Sequence, residues 1–231
     1  MFKIYLCAFL NRIYLEEAKV CIESIRTNGC FKGIIYLFTD MDVFIEGVEI
    51  IKTKCNSIEL SASYRTRLFD HIKDISNDDI FLYLDTDIIV LKPLPSFDHI
   101  TDKIHVYGYP SRKQKESSFS GFITSDINYT SQTAICSGIL LFRPSISVKK
   151  VFDDTYQLYM DLIKKNKINA CWEQPALCYI LIEQEMYDIS LTDYVYEERT
   201  KSKINDKYIF NHFCGMRGDS RYNNMKKYLK K

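Results

Sequence analysis

Two carboxylates separated by one small residue, Asp85-Thr86-Asp87, stand between the apolar runs Ile80-Phe81-Leu82-Tyr83-Leu84 and Ile88-Ile89-Val90-Leu91. In extended backbone, residues i and i+2 point the same way, so Asp85 and Asp87 can aim their oxygens at one spot. Carboxylates that share a point repel each other and lose hydration, and a cation placed there relieves both penalties. The triplet is therefore a candidate site for a hard divalent ion and an anion carried with it. Asp40-Met41-Asp42 has the same spacing. The Asp85 triplet differs in its context: a buried strand before it, and a second apolar run leading to Pro93 after it.

A short apolar run bounded by acidic residues reads as a strand covered on both faces, as in a parallel sheet. In open α/β sheets, ligands bind at the carboxyl ends of such strands. The rest of the chain supplies partners for this strand. Residues 3–10 read as a first strand and 11–14 as a loop. Residues 15–27 read as a helix, with Leu15, Ala18, Cys21, Ile22 and Ile25 at helical spacing and Asn28-Gly29 as its stop. Residues 33–39 and 48–52 read as two more strands. This opening predicts an α/β fold in a single domain, with a central mixed, mostly parallel sheet flanked by helices.

Further on, 61–75 reads as a helix, 104–109 as a strand, and 111–133 as a polar loop that could cover a ligand. Pro144-Ser145 opens a helix to about residue 165, and another helix runs from near Glu173 to 185. Residues 208–214 read as a strand meeting a glycine turn, and 225–231 as a basic amphipathic helix. The sequence has no Gly-x-Gly-x-x-Gly and no Gly-x-x-x-x-Gly-Lys, so dinucleotide and P-loop readings have no support.

The stretch Leu82-Tyr83-Leu84-Asp85-Thr86-Asp87-Ile88-Ile89-Val90-Leu91 resembles the metal-binding motif of nucleotide-sugar-dependent glycosyltransferases with the GT-A fold, above all the glycogenin and galactosyltransferase-like group, family 8. Five other patches are similar to that group in the same order, and together they cover residues 3–218. Tyr14, with Phe9 and Leu10 beside it, matches a first-loop tyrosine that lies against the nucleotide base. Thr66-Arg67-Leu68 is similar to a Thr-Lys-Leu whose lysine reaches the donor. Cys136-Ser137-Gly138, followed by an apolar strand and Pro144-Ser145, is similar to the family's Asn-Ser-Gly segment, with Cys136 in place of asparagine. Trp172-Glu173-Gln174-Pro175-Ala176-Leu177 resembles Asp-Gln-x-x-Leu-Asn. His212-Phe213-Cys214-Gly215 resembles His-Phe-x-Gly-x-x-Lys; Gly218 stands at the lysine position, and Arg217 or Arg221 would supply the missing charge.

The resemblance implies a metal-dependent transfer of a sugar from a nucleoside diphosphate donor, UDP-linked, to a hydroxyl of a glycan, protein or lipid-linked acceptor, with retention of configuration. It implies Mn²⁺ or Mg²⁺ held by Asp85, Asp87 and His212. The implied donor site comprises Phe9, Leu10, Tyr14, Arg67, Asp85, Thr86, Asp87, Ser137, Gly138, Gly215 and Arg217. Gln174, Glu173 and Arg67 would be the catalytic groups. Two rivals stay open: a catalytically silent nucleotide-sugar binder and a sugar-1-phosphate nucleotidyltransferase.

Composition narrows the classes. A chain of 231 residues with formal net charge +1 suits one domain and favours neither nucleic acid nor an anionic membrane. No apolar run approaches a membrane span. The first ten residues read as a strand and not as a signal peptide. The eight cysteines include no Cys-x-x-Cys pair and read as reduced thiols, so a cytoplasmic location is expected.

Overall fold

The computed structural model describes residues 1–197, 204–215 and 218–229. Among the described residues, ten strands form two sheets: β1 (Phe2–Ala8), β2 (Ile34–Thr39), β3 (Glu49–Lys52), β4 (Ile80–Leu84), β5 (Ile88–Val90), β6 (Ile104–Lys113), β7 (Thr133–Phe142), β8 (Tyr187–Asp188), β9 (Val195–Glu197) and β10 (Phe210–His212). The large sheet has seven strands in the order β3-β2-β1-β4-β7-β6-β8. Its first four are parallel, and β7 runs antiparallel to both β4 and β6. This is the expected mixed α/β sheet. β1 and β4 lie at its centre, where Ile4, Tyr5, Leu6, Phe81, Leu82 and Leu84 are almost wholly excluded from water.

The small sheet has the order β5-β10-β9, with β5 antiparallel to β10 and Ile88 opposite His212. The chain leaves the large sheet at Leu84 and enters the small one at Ile88. Asp85-Thr86-Asp87 is thus a corner between sheets. Strand order reverses here too: β2 and β3 lie on one side of β1, and β4 on the other. At such a switch point the loops diverge and leave a crevice.

Helix α1 (Arg12–Thr27) starts where the Asn11 side chain accepts from the Ile13 amide at 3.0 Å, and it buries the predicted apolar stripe. Glu17 is buried beside that stripe. The single helix expected over 61–75 is instead α2 (Ile58–Ser63), a 3₁₀ turn (Tyr64–Thr66) and α3 (Leu68–His71). Hydroxyls of Ser61, Ser63 and Thr66 donate back to carbonyls three residues earlier at 2.7–2.9 Å, which tightens the turn and competes with a continuous helix.

The segment 111–133 is also more ordered than a polar loop. It completes β6, forms a 3₁₀ turn (Ser120–Phe122) and the short helix α4 (Ile127–Thr130), and buries Phe119 fully. Helices α5 (Ile146–Lys164) and α6 (Gln174–Glu183) follow as expected. The last helix, α7 (Gly218–Lys226), begins seven residues before the predicted 225–231. Met225 near its end is buried against Val20, Ile89 and Phe213. Among the described residues, no helix is long and apolar enough to cross a membrane.

Candidate functional site

The corner is fixed by main-chain bonds from three directions. The Asp85 amide donates to the Gly138 carbonyl at 2.8 Å, the Ile88 amide to the Asp85 carbonyl at 3.2 Å, and the Phe213 amide to the Asp87 carbonyl at 2.9 Å. The last of these carries His212 to the triplet from the far end of the chain. Ligand atoms of Asp85, Asp87 and His212 all lie within 4.8 Å of one another. Gly138 makes room for them: a Cβ there would sit 2.7 Å from Asp85 Oδ2 and 3.0 Å from His212 Cε1. The glycine is required by this close approach.

The residues fit a divalent ion. Two carboxylates and an imidazole form a hard-to-borderline donor set suited to Mn²⁺ or Mg²⁺. Asp87 Oδ1 is buried without an aligned hydrogen-bond donor, although His212 Nε2 lies 3.2 Å away. Burial works against the charge on Asp87, yet His212 and Arg221 hold its carboxyl well below the usual range. Burial likewise disfavours the imidazolium, and Asp87 outweighs it, raising His212 above its ordinary value. The other ring nitrogen of His212, Nδ1, lies 3.8 Å from Cys136 Sγ.

Each carboxylate has its own arginine. Arg221 Nη1 donates to Asp87 Oδ2 at 2.7 Å, while its Nε and Nη2 grip both oxygens of Glu17 at 2.8 and 2.7 Å. Arg65 Nη2 lies 3.4 Å from Asp85 Oδ1, and its Nε lies 2.6 Å from Glu173 Oε1. Arg65 Nη1 donates to both the carbonyl and the hydroxyl of Ser137 at 2.8 Å. The Tyr83 hydroxyl donates to Asp85 Oδ1 at 2.5 Å. Burial raises Glu173 to about 7 against the opposition of Arg65, which has Asp85 to compensate as well.

Arg65, Tyr83 and Arg221 line a cleft of about 650 Å³. Phe9, Tyr14, Asp85, Thr86, Asp87, Ser137, Gly138, Gln174, His212 and Gly215 all line it. Three expected residues do not. Leu10 is exposed, and its amide turns back to Asp40 Oδ1 at 3.0 Å with φ of 65°. Glu173 is buried behind Arg65 and does not reach the cleft. Arg67 pairs with Asp70 and packs over the Tyr156 ring at 4.5 Å. The 3₁₀ turn places Arg65 at the cleft and Arg67 away from it, so the position matched by resemblance is not the one that lines the site. Arg217 lies outside the described residues. Arg221, the other basic candidate, lines the cleft.

No family model matches the chain, and no curated protein matches it.

The site therefore rests on its own geometry. Gln174 is held at the cleft wall, where Oε1 accepts from the Ser137 amide at 3.1 Å and Nε2 donates to the Ser118 carbonyl at 2.9 Å. The Asp40 triplet has a different fate: Asp40 caps the Leu10 turn, and Asp42 pairs with Lys52 on the surface. Sequence reasoning missed Arg65, and it also missed Glu17. Its one signal was a carboxylate beside the apolar stripe of α1, where a charge needs a buried partner.

Proposed function

We propose that the chain is a metal-dependent glycosyltransferase that moves a sugar from a nucleoside diphosphate donor, UDP-linked, to an acceptor hydroxyl with retention. The observation that carries this reading is the convergence of Asp85, Asp87 and His212 against Gly138 at the carboxyl end of β4. Held by those three residues, a divalent ion would supply Lewis-acid stabilisation of the leaving diphosphate. The chain's own groups then have distinct tasks. Tyr14, whose ring lies 5.9 Å from the Arg221 guanidinium, offers a face for the base. Arg65 adds positive charge beside Asp85 and Ser137, where phosphate or sugar oxygens would gather. Gln174 offers an amide oxygen to the anomeric centre as positive charge develops there.

A second reading has one specific observation behind it. Arg221 already neutralises Asp87, so an internal cation could satisfy the carboxylates in a silent nucleotide-sugar binder. The test is a screen of UDP-sugars with Mn²⁺ by thermal shift, followed by NMR of the first-formed product. A stabilising donor that is turned over to a product of unchanged anomeric configuration supports transfer with retention. Stabilisation without turnover favours the silent binder, and an inverted product contradicts retention.

A further inference from the structure

Arg221 is shared between two carboxylates, Glu17 and Asp87, and the sharing is unequal. Its Nε and Nη2 donate to Oε1 and Oε2 of Glu17, and only Nη1 reaches Asp87, at Oδ2. Glu17 is wholly buried on α1, and the Thr86 hydroxyl lies 3.5 Å from its Oε2. A guanidinium and a carboxylate prefer the two-point, fork-on-fork arrangement. Glu17 has that arrangement, and Asp87 is left with a single bond.

The helices around the pair have another contact to hold them. On α1, Glu17 and Val20 are three residues apart and share a face. On α7, Arg221 and Met225 are four apart and share another. Val20 and Met225 are buried together with Ile89 and Phe213, which seats α7 on α1 whatever stands at position 17. A buried ion pair is also a weak source of stability, because desolvation of both charges offsets their attraction. Glu17 therefore needs a reason beyond holding the helix.

That reason lies at Asp87. Its Oδ1 is buried without an aligned donor, on the side of His212 Nε2 at 3.2 Å. A guanidinium released from Glu17 would close its fork on both Asp87 oxygens. It would then cover Oδ1 and cancel the charge that attracts a cation to Asp85, Asp87 and His212. Among the described residues, the other group beside Arg221 is the Tyr14 ring, 5.9 Å from the guanidinium, and a ring face fixes no hydrogen-bond direction.

We infer that Glu17 is a positioning residue: by occupying two N–H groups of Arg221, it limits the arginine to one oxygen of Asp87 and keeps the other open to the metal ion. This rests on the metal-dependent reading above. The test titrates the intact chain with Mn²⁺, without and with UDP, and follows the free ion by its EPR signal. Glu17→Gln removes the charge, whereas Glu17→Asp keeps it and shortens its reach by one methylene. Each should weaken Mn²⁺ binding about tenfold or more. Adding Arg221→Gln to Glu17→Gln removes the arginine that closes on Asp87 and leaves no unpaired charge between α1 and α7. The double variant should return to within about threefold of the parent. Parent-like Mn²⁺ binding in Glu17→Asp would reduce Glu17 to a nearby charge and overturns the proposal. A double variant as weak as Glu17→Gln overturns it too, since Glu17 would then act by clasping α7 to α1. A parent that binds no Mn²⁺ in either condition overturns it together with the metal-dependent reading. The expected ranking in a chain indifferent to UDP upholds the role of Glu17 and sinks the donor reading instead.

Discussion

Arg65 and Arg67 are two residues apart and have opposite fates. Arg65 joins Asp85, Glu173 and Ser137 in the cleft, and Arg67 joins Asp70 and Tyr156 outside it. A hydrogen bond to a charged group contributes about 2–3 kcal/mol, so Arg65→Ala should lower kcat/KM for the donor by roughly 30- to 150-fold. Arg67→Ala should change it less than about threefold, because exposed ion pairs contribute about 0–1 kcal/mol. Steady-state kinetics on both variants checks this, and the reverse ranking would contradict it. Glu173 gives a second test. Its raised carboxyl keeps a proton in the folded state that the unfolded chain has released. That contribution is whole below the ordinary value of 4.5 and is lost as pH rises through about 7. Urea unfolding of Glu173→Gln should therefore show a flatter pH profile than the parent, by on the order of 2–3 kcal/mol between pH 5 and 8. A parallel profile would mean that Arg65 compensates Glu173 fully. At this scale the convergence of Asp85 and Asp87 was legible because i, i+2 geometry is a local rule. The choice between Arg65 and Arg67 was not: the resemblance of Thr66-Arg67-Leu68 pointed to Arg67, and the hydroxyl-tightened turn over 64–66 brings Arg65 to the cleft instead.

Among the elements, regular strands and long helices were legible because burial and capping write themselves into short windows. β4 falls where its apolar run predicts, and α1 buries the predicted stripe. The segment 111–133 was not, because its anchors are a single aromatic and one side-chain amide, which make no periodic pattern. Phe119 is fully buried, and Gln114 Oε1 accepts from the Ser120 amide at 3.0 Å. The segment presents Ser117 and Ser118 to the loop that carries Trp172 and Gln174. Truncating a buried phenylalanine costs about 3–5 kcal/mol, so Phe119→Ala should lower the urea midpoint accordingly. It should also open 111–133 to limited proteolysis. A loss under about 1 kcal/mol with unchanged cleavage would return the segment to the status of a surface loop.

The molecule as a whole brings residues from both ends of the chain to one corner. Glu17 from α1, the triplet after β4, Gly138 from β7, His212 from β10 and Arg221 from α7 meet where the large sheet gives way to the small one. Sequence order could suggest this convergence only through resemblance, since contacts between residues 17 and 221 leave no local pattern. The most direct measurement is calorimetric binding of UDP with and without Mn²⁺ to the parent, Asp87→Ala, His212→Ala and Asp42→Ala. The surface carboxylate Asp42 serves as the control with the same spacing. The parent and Asp42→Ala should bind UDP at least tenfold more tightly with Mn²⁺ than without it, a difference of about 1.4 kcal/mol or more. Asp87→Ala and His212→Ala should lose that dependence. Loss of the Mn²⁺ effect in Asp42→Ala and its persistence in Asp87→Ala would show that the functional centre is not at this corner.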